Sequence, residues 1–216
     1  VKLNPLASIT YATGDTMIPV YENLATAVDR GLVDFSQTTA FHLDEYYPYS
    51  QERKFSFVKF LNNYVFGPLK INPDNIHTLN GIAEDPHIEA KRYDDLVSKR
   101  ISLALLGIGP RGHIGFNERN TPFDSRTHLA LLSNETLHRD IVERSQDTPN
   151  QALTQGIGTI LEASQILLIA YGIGKSSYIR EALINHISEF CPASALRLVG
   201  KKVTVLVDEK AGNLVK

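Results

Sequence analysis

Three runs in this chain are apolar almost throughout instead of alternating: Ile101 to Leu106, Gln165 to Tyr171, and Val203 to Val207. A strand with one face in water alternates apolar and polar residues, whereas a strand apolar on both sides belongs in a sheet covered on both faces. Shorter strand-like runs fall at Ile9 to Ala12, Thr38 to Leu43 and Leu129 to Leu132. Helical patterns lie between them. Ile18 to Val28 carries Val20, Leu24 and Val28 on one face, and Phe55 to Val65 follows later. Asp85-Pro86 opens a helix to about Ser98, with Asp85 as cap and Pro86 in the first position. Asn134 to Glu143 and Lys175 to Ile187 complete the set. Strands alternating with helices predict an α/β fold: a single doubly wound, mostly parallel, Rossmann-like sheet with helices on both faces. At 216 residues the chain is expected to form one domain, residues 1–216, with a substantial core.

Charge and cysteine content narrow the function classes. With 22 basic and 24 acidic residues the net charge is −2, and no lysine-rich block stands out. Nucleic acid and membrane surfaces are therefore not expected as partners. Cys191 is the one cysteine, so no disulfide forms within the chain, as suits a reducing compartment. The sequence holds no CxxC, no HExxH and no His/Cys cluster, and so no signal for a metal site. The start, Val1-Lys2-Leu3-Asn4-Pro5, does not resemble a signal peptide, and no run approaches the ~20 apolar residues of a membrane span. A soluble, cytoplasmic protein is expected.

Sheets of this kind bind ligands where their strands end. Four polar motifs sit at such ends. After the Ile101–Leu106 strand come four glycines (Gly107, Gly109, Gly112, Gly115) in nine positions, enclosing His113 and followed by Glu118. Glycines that dense let a backbone turn sharply and approach a ligand closely. His113 can shuttle protons near neutral pH and Glu118 can fix its tautomer, unless this is a plain turn with a surface histidine. After the first strand, Thr13-Gly14-Asp15-Thr16 precedes a helix. That loop is either an anion site or a helix cap supplied by Thr13, Asp15 or Thr16. After the second strand, Asp44-Glu45 offers a general base or, as commonly, a solvated turn. Chain direction alternates, so only one of the two can easily enter a cleft, and His42 would share the side of Asp44. Finally, Tyr171-Gly172-Ile173-Gly174-Lys175 places a lysine at a helix start, where the helix dipole favours anions. Lys175 is either a surface residue or the partner of a bound phosphate. The four motifs together suggest a phosphorylated substrate undergoing proton transfers. His77, His87, His128, His138 and His186 show no partner pattern and are expected at structural or surface positions.

The segments Asp44-Glu45-Tyr46, Gly107-Ile-Gly-Pro-Arg-Gly-His-Ile-Gly-Phe-Asn-Glu118 and Ala152-Leu-Thr-Gln-Gly-Ile-Gly-Thr-Ile-Leu-Glu-Ala163 resemble the glucosamine-6-phosphate deaminase family. So do Lys175, Pro192-Ala-Ser-Ala-Leu196 and Asp208-Glu209, and the likeness runs from about Ile9 to Asp208. The superfamily also contains 6-phosphogluconolactonases, but Tyr46 and Phe116-Asn117-Glu118 favour the deaminase branch. The resemblance implies conversion of glucosamine 6-phosphate and water to fructose 6-phosphate and ammonia, with no metal or organic cofactor. It implies that His113 opens the sugar ring, that Glu118 tunes His113, and that Asp44 moves the proton from C2 to C1. It gives Lys175 with Thr13, Gly14 and Thr16 the role of phosphate clamp. A galactosamine-6-phosphate deaminase/isomerase, a lactonase and a non-catalytic sugar-phosphate-binding protein are the alternatives.

The chain departs from the family pattern in places. Asp15 and Met17 stand in the third and fifth places of the phosphate loop. Arg111 stands where relatives carry Asp or Asn, and Arg119 where they carry Pro. Arg111 cannot replace a carboxylate, because it stays protonated; a role near the phosphate or Asp15 is the alternative. Arg139 and Arg144 compete for the place of a second phosphate-binding arginine. The first strand and helix of relatives have no counterpart ahead of Ile9, so a sheet lacking its first βα unit is expected, and the shorter relatives suggest a monomer.

Overall fold

The computed structural model describes residues 1–215. Nine strands and six α-helices alternate along the chain: β1 (Ser8–Tyr11), α1 (Ile18–Asp29), β2 (Thr39–His42), β3 (Asp44–Tyr47), α2 (Phe57–Leu61), β4 (Ile76–His77), α3 (Pro86–Val97), β5 (Leu103–Leu106), β6 (His128–Leu131), α4 (Asn134–Glu143), β7 (Gln151–Thr154), α5 (Ile157–Leu161), β8 (Gln165–Ala170), α6 (Ser176–Leu183) and β9 (Val203–Val207). Six strands form one sheet in the order β4-β2-β1-β5-β8-β9, and each pairing in it is parallel. The expected doubly wound parallel sheet is present. The three runs read as apolar on both sides became β5, β8 and β9; β5 and β8 lie inside the sheet and β9 at its edge. The core gathers along the central strands, with Ile9, Tyr11, Ala104, Leu106, Ile166 and Leu168 all buried.

The chain leaves β1 toward β2 and β4, then returns to the other side of β1 for β5, β8 and β9. The order of strands therefore reverses between β1 and β5. The connections after β1 and β5 leave in opposite directions at such a point and open a crevice at the carboxyl ends of the strands.

A second sheet was not expected from the sequence. Strands β3, β7 and β6 pair antiparallel in that order beside the main sheet. Asp44-Glu45, for which a solvated turn was one expectation, is instead the start of β3, and both residues are buried. Leu129 to Leu132 reads as one more buried strand, but β6 faces solvent on one side, with Leu131 67% exposed. A three-ligament joint holds this sheet to α3. Asp94 accepts hydrogen bonds from the Thr127 N–H (3.0 Å), the Thr127 hydroxyl (2.9 Å) and the Thr159 hydroxyl (2.7 Å). Arg126 bridges Asp94 and Glu162.

Helix boundaries shift where local geometry overrides periodicity. The run Phe55 to Val65 is α2 followed by a π-turn over Asn62–Phe66. The helix expected to Ile187 ends at Leu183, ahead of Asn185 and His186, both weak helix formers. Asp85 caps α3 as expected, accepting from the N–H groups of His87 (2.7 Å) and Ile88 (3.2 Å).

Candidate active site

A cavity of about 350 Å³ fills the crevice at the β1/β5 reversal. It brings together Thr13, Gly14 and Thr16 after β1, Asp44 at the start of β3, His113 after β5, and Lys175 after β8. Glu118 stands behind His113 rather than in the cavity wall.

The glycine-rich loop after β5 exists to present His113. The His113 carbonyl accepts from the Gly109 N–H at 3.0 Å, folding the loop back on itself. The histidine ring then lies against Gly109 so closely that a β-carbon there would overlap it. Gly115 has φ +58°, and a β-carbon on it would press on Thr154 and Asp44. Asn117 pins the far end of the loop, donating to the carbonyls of Ile114 (2.8 Å) and Gln155 (2.8 Å). His113 is therefore no incidental surface residue: it is buried, with its Nδ1 3.7 Å from a Glu118 carboxylate oxygen. That separation suits an ion pair and is too long for a hydrogen bond. Burial opposes ionisation of Glu118, but the His113 ring, Thr136 and the Ser133 N–H outweigh it and lower its carboxyl to about 2. Glu118 is thus a fixed negative charge behind the imidazole.

Asp44 and Glu45 are neighbours with opposite surroundings. Glu45 turns away from the cavity and accepts from the Ser56 hydroxyl (2.6 Å) and the N–H groups of Tyr46, Phe57 and Val58 (3.0, 3.1 and 3.1 Å). It anchors the start of α2. Asp44 faces the cavity, only 6% exposed, and its Oδ1 has no hydrogen-bond partner. Burial pushes its carboxyl up to about 8, the adjacent Glu45 charge adds to this, and Arg144 opposes it. A carboxylate so placed is a stronger base than a solvated one. One of the pair enters the cleft, as the alternation of the strand requires.

The other end of the cavity is lined by the Thr13–Thr16 loop, Arg139 and Lys175. Neither Thr13, Asp15 nor Thr16 caps α1, whose start carries no side-chain cap, so the capping explanation of that loop does not hold. Gly14 takes φ +104°, which a side chain would resist. Lys175 reaches across to the Ile108 carbonyl at 2.8 Å and so is not a free surface lysine. Burial and the charge of Arg139 lower its ammonium pKa. The Tyr171 hydroxyl donates to the Asp15 carbonyl at 3.0 Å, tying the end of β8 to the loop after β1.

Residues 4–205 match the family model of glucosamine-6-phosphate isomerases and 6-phosphogluconolactonases. The chain belongs to this isomerase/lactonase family. A glucosamine-6-phosphate deaminase of Clostridium botulinum (strain Loch Maree / Type A3) is 36% identical over 217 residues, covering 99% of this chain and 88% of that protein. One from Thermoanaerobacter sp. (strain X514) is 34% identical over 219 residues, covering 100% and 86%. Among solved structures, a monomeric glucosamine-6-phosphate deaminase superposes with a TM-score of 0.94 at 38% identity, covering 99% of this chain and 90% of that one. A 6-phosphogluconolactonase from Trypanosoma brucei shares the fold at a TM-score of 0.75 and 18% identity, over 100% and 88%.

Within this isomerase/lactonase frame the structure separates the two arginines that the sequence left in competition. Both line the cavity. Arg139 is held by Asp140 at 2.6 and 2.8 Å, and its charge reaches Lys175. Arg144 lies over the Phe57 ring at 4.8 Å and the Tyr46 ring at 6.0 Å, on the side of Asp44. Sequence reasoning missed Asp140, which is fully buried and also accepts from the Tyr46 hydroxyl at 2.6 Å. Nothing local marks it, because its partners come from β3 and from its own helix. Arg111 meets neither the phosphate loop nor Asp15. It sits at φ 58° and pairs with Glu135 on α4 at 2.5 Å, half exposed. His42 does not line the cavity; burial lowers its imidazole to about 3, so it is a neutral core residue.

Proposed function

We propose that this protein isomerises and deaminates glucosamine 6-phosphate, giving fructose 6-phosphate and ammonia with consumption of one water. The observation that carries the reading is the cavity itself. A buried carboxylate with an unpartnered Oδ1 (Asp44) and a carboxylate-backed histidine (His113) share it with the Thr13–Thr16 loop ahead of α1 and a lysine. That set matches the needs of the reaction in order.

The phosphate is bound by the α1 start with Thr13, Gly14 and Thr16, by Lys175 and by Arg139, at a distance from the reacting carbons. Its binding energy then holds the sugar without touching the bonds that change. His113, backed by the Glu118 carboxylate, delivers a proton to the ring oxygen and takes one from the C1 hydroxyl, which opens the ring. Asp44 removes the proton on C2, giving an enolamine, and returns it to C1. The product of that transfer is an imine at C2, which water hydrolyses to the ketone and ammonia. The steps are proton transfers followed by addition of water at C2 and loss of ammonia, and oxidation of C2 is balanced by reduction of C1 in the same molecule, so the chemistry needs no redox cofactor. Among the described residues no group of His, Cys, Asp and Glu is arranged to hold a metal ion. No helix of the described residues is long and apolar enough to cross a membrane. We place the protein in the cytoplasm as a monomer, a reading supported by the solved deaminase relative being monomeric.

Incubating the protein with glucosamine 6-phosphate and following ammonia and fructose 6-phosphate tests the proposal. Equal release of the two is the expected result. Binding without release overturns it, and galactosamine 6-phosphate and 6-phosphogluconolactone then identify which alternative holds.

A further inference from the structure

The base in this cavity has an electrostatic problem. Asp44 is buried beside two other buried acidic residues, Glu45 on its own strand and Asp140 on α4. Glu45 is occupied by the start of α2, and Asp140 by Tyr46 and Arg139. The other groups facing Asp44 are His113 from the loop after β5 and the Tyr21 phenol from α1. His113 is engaged with Glu118, and Tyr21 donates to the Ala12 carbonyl at 2.6 Å. Arg139 pairs with Asp140 and its charge reaches Lys175, whose Nζ donates to the Ile108 carbonyl, so both lie toward the other end of the cavity.

That leaves Arg144. Among the described residues it forms no ion pair, and its Nε is buried without a hydrogen-bond partner. It stands just past the end of α4, and its guanidinium rests on the faces of Phe57 and Tyr46 in the wall it shares with Asp44. Stacking on rings uses the face of a guanidinium and leaves its edge free. Arg144 is half-buried, and the cost of its buried, unpartnered Nε is offset by the carboxylate cluster beside it.

We propose that Arg144, propped on Phe57 and Tyr46, is the positioning residue whose charge favours the ionised, proton-accepting form of Asp44, and that it does not bind the substrate phosphate. The proposal rests on Asp44 being the base, as read above. The two arginines of α4 then divide the cavity, Arg139 serving the phosphate and Arg144 the base. The charge of Arg144 already opposes the upward push of burial and Glu45 on Asp44. Removing it leaves that push uncontested, and an opposite charge at close range moves a carboxyl by about one pH unit or more.

The test is the pH profile of kcat/KM in Arg144→Met and Arg144→Lys, with Asp44→Asn as reference. For Arg144→Met the acid limb moves up by about one pH unit, which is about tenfold in rate below the limb. Activity recovers in alkaline buffer and KM there stays within about twofold of wild type. Arg144→Lys restores the wild-type limb. An unshifted limb in Arg144→Met overturns the proposal, and so does a KM raised equally at all pH values, which would put Arg144 on the phosphate. If Arg144→Met fails to fold, Arg144→Gln reads the same shift. Wild-type turnover in Asp44→Asn would refute the base assignment itself, a result distinct from an unshifted limb.

Discussion

The two ends of the cavity are built on different principles. The phosphate end combines the loops after β1 and β8, with their positive-φ glycines, and two cations, Lys175 and Arg139, with Asp15 exposed at its rim. The proton-transfer end is side chain: buried carboxylates, each in a different degree of compensation, held by a small antiparallel sheet that the main sheet does not need. Backbone N–H groups tolerate water until a phosphate arrives, so that end can stay open. A base strong enough to take a carbon-bound proton has to be kept from water, so the other end is closed off by Phe57, Phe116 and Tyr46. Strength as a base is thereby obtained by making the site locally unfavourable.

The largest expected effect tests that last point. Asp44→Asn should lower kcat by about 10³-fold while leaving glucosamine 6-phosphate binding intact. The same substitution should raise stability. The Asp44 carboxyl is moved from 3.8 to about 8 in the folded protein. Between those values the folded state holds a proton that the unfolded state has lost. Stability therefore falls as pH rises from 4 to 8 and stays low above it. Asp44→Asn lacks this loss, so above pH 8 it should be more stable than wild type by on the order of a few kcal/mol and melt at a higher temperature, a difference that vanishes near pH 4. Equal melting temperatures at pH 9 would show that the cavity does not strain Asp44.

Glu45 sharpens the contrast, being the same chemistry one residue away. Glu45→Ala removes the acceptor of the Ser56 hydroxyl and the Phe57 and Val58 N–H groups at the start of α2 and of the Tyr46 N–H on β3, a loss of about 3 kcal/mol in folding stability. At temperatures where the variant is folded, kcat should change by less than about tenfold, because Glu45 does not face the cavity. Denaturant unfolding and steady-state kinetics separate the two effects. A collapse of kcat in a folded Glu45→Ala would dissolve the distinction between the neighbouring carboxylates.

At the phosphate end the losses should appear in binding. Lys175→Ala removes one charge-assisted contact worth about 1.5–3 kcal/mol, so KM should rise roughly tenfold to a hundredfold with kcat little changed. If kcat fell and KM stayed, Lys175 would belong to the chemistry. The direction of its own shift adds a pH signature. Burial and Arg139 lower the lysine, so affinity should decay on the alkaline side earlier than an ordinary lysine would allow.

The same division explains what the sequence disclosed. The parallel strands and the motifs at their ends were legible because each is contiguous: an apolar run, then glycines, then the functional residue within about ten positions. Lys175, His113 and the Thr13–Thr16 loop could be named that way. The antiparallel sheet was not legible, because what buries Asp44 and Glu45 comes from elsewhere: β7 more than a hundred residues on, and the α2 start at Ser56. Asp-Glu by itself reads as a turn. The roles of Arg139 and Arg144 depended in the same way on Asp140 and Phe57, contacts that no spacing along α4 announces.

Arg111 gives the smallest expected effect and the cleanest check on where the proton-transfer end stops. It occupies the loop that carries His113, yet its side chain leaves the cavity for Glu135 at the start of α4, 48% exposed. An exposed pair of this kind contributes about 0–1 kcal/mol. Its backbone adopts φ 58°, a left-handed conformation that asparagine accepts more readily than arginine. Arg111→Asn therefore exchanges a weak ion pair for a better backbone fit, and stability should change by less than about 0.5 kcal/mol. Turnover should stay within about twofold, because Glu118 alone supplies the charge behind His113. A tenfold gain in kcat would mean that Arg111 holds ring opening back, and a tenfold loss that it takes part; either result would extend the working part of the site beyond the cavity wall.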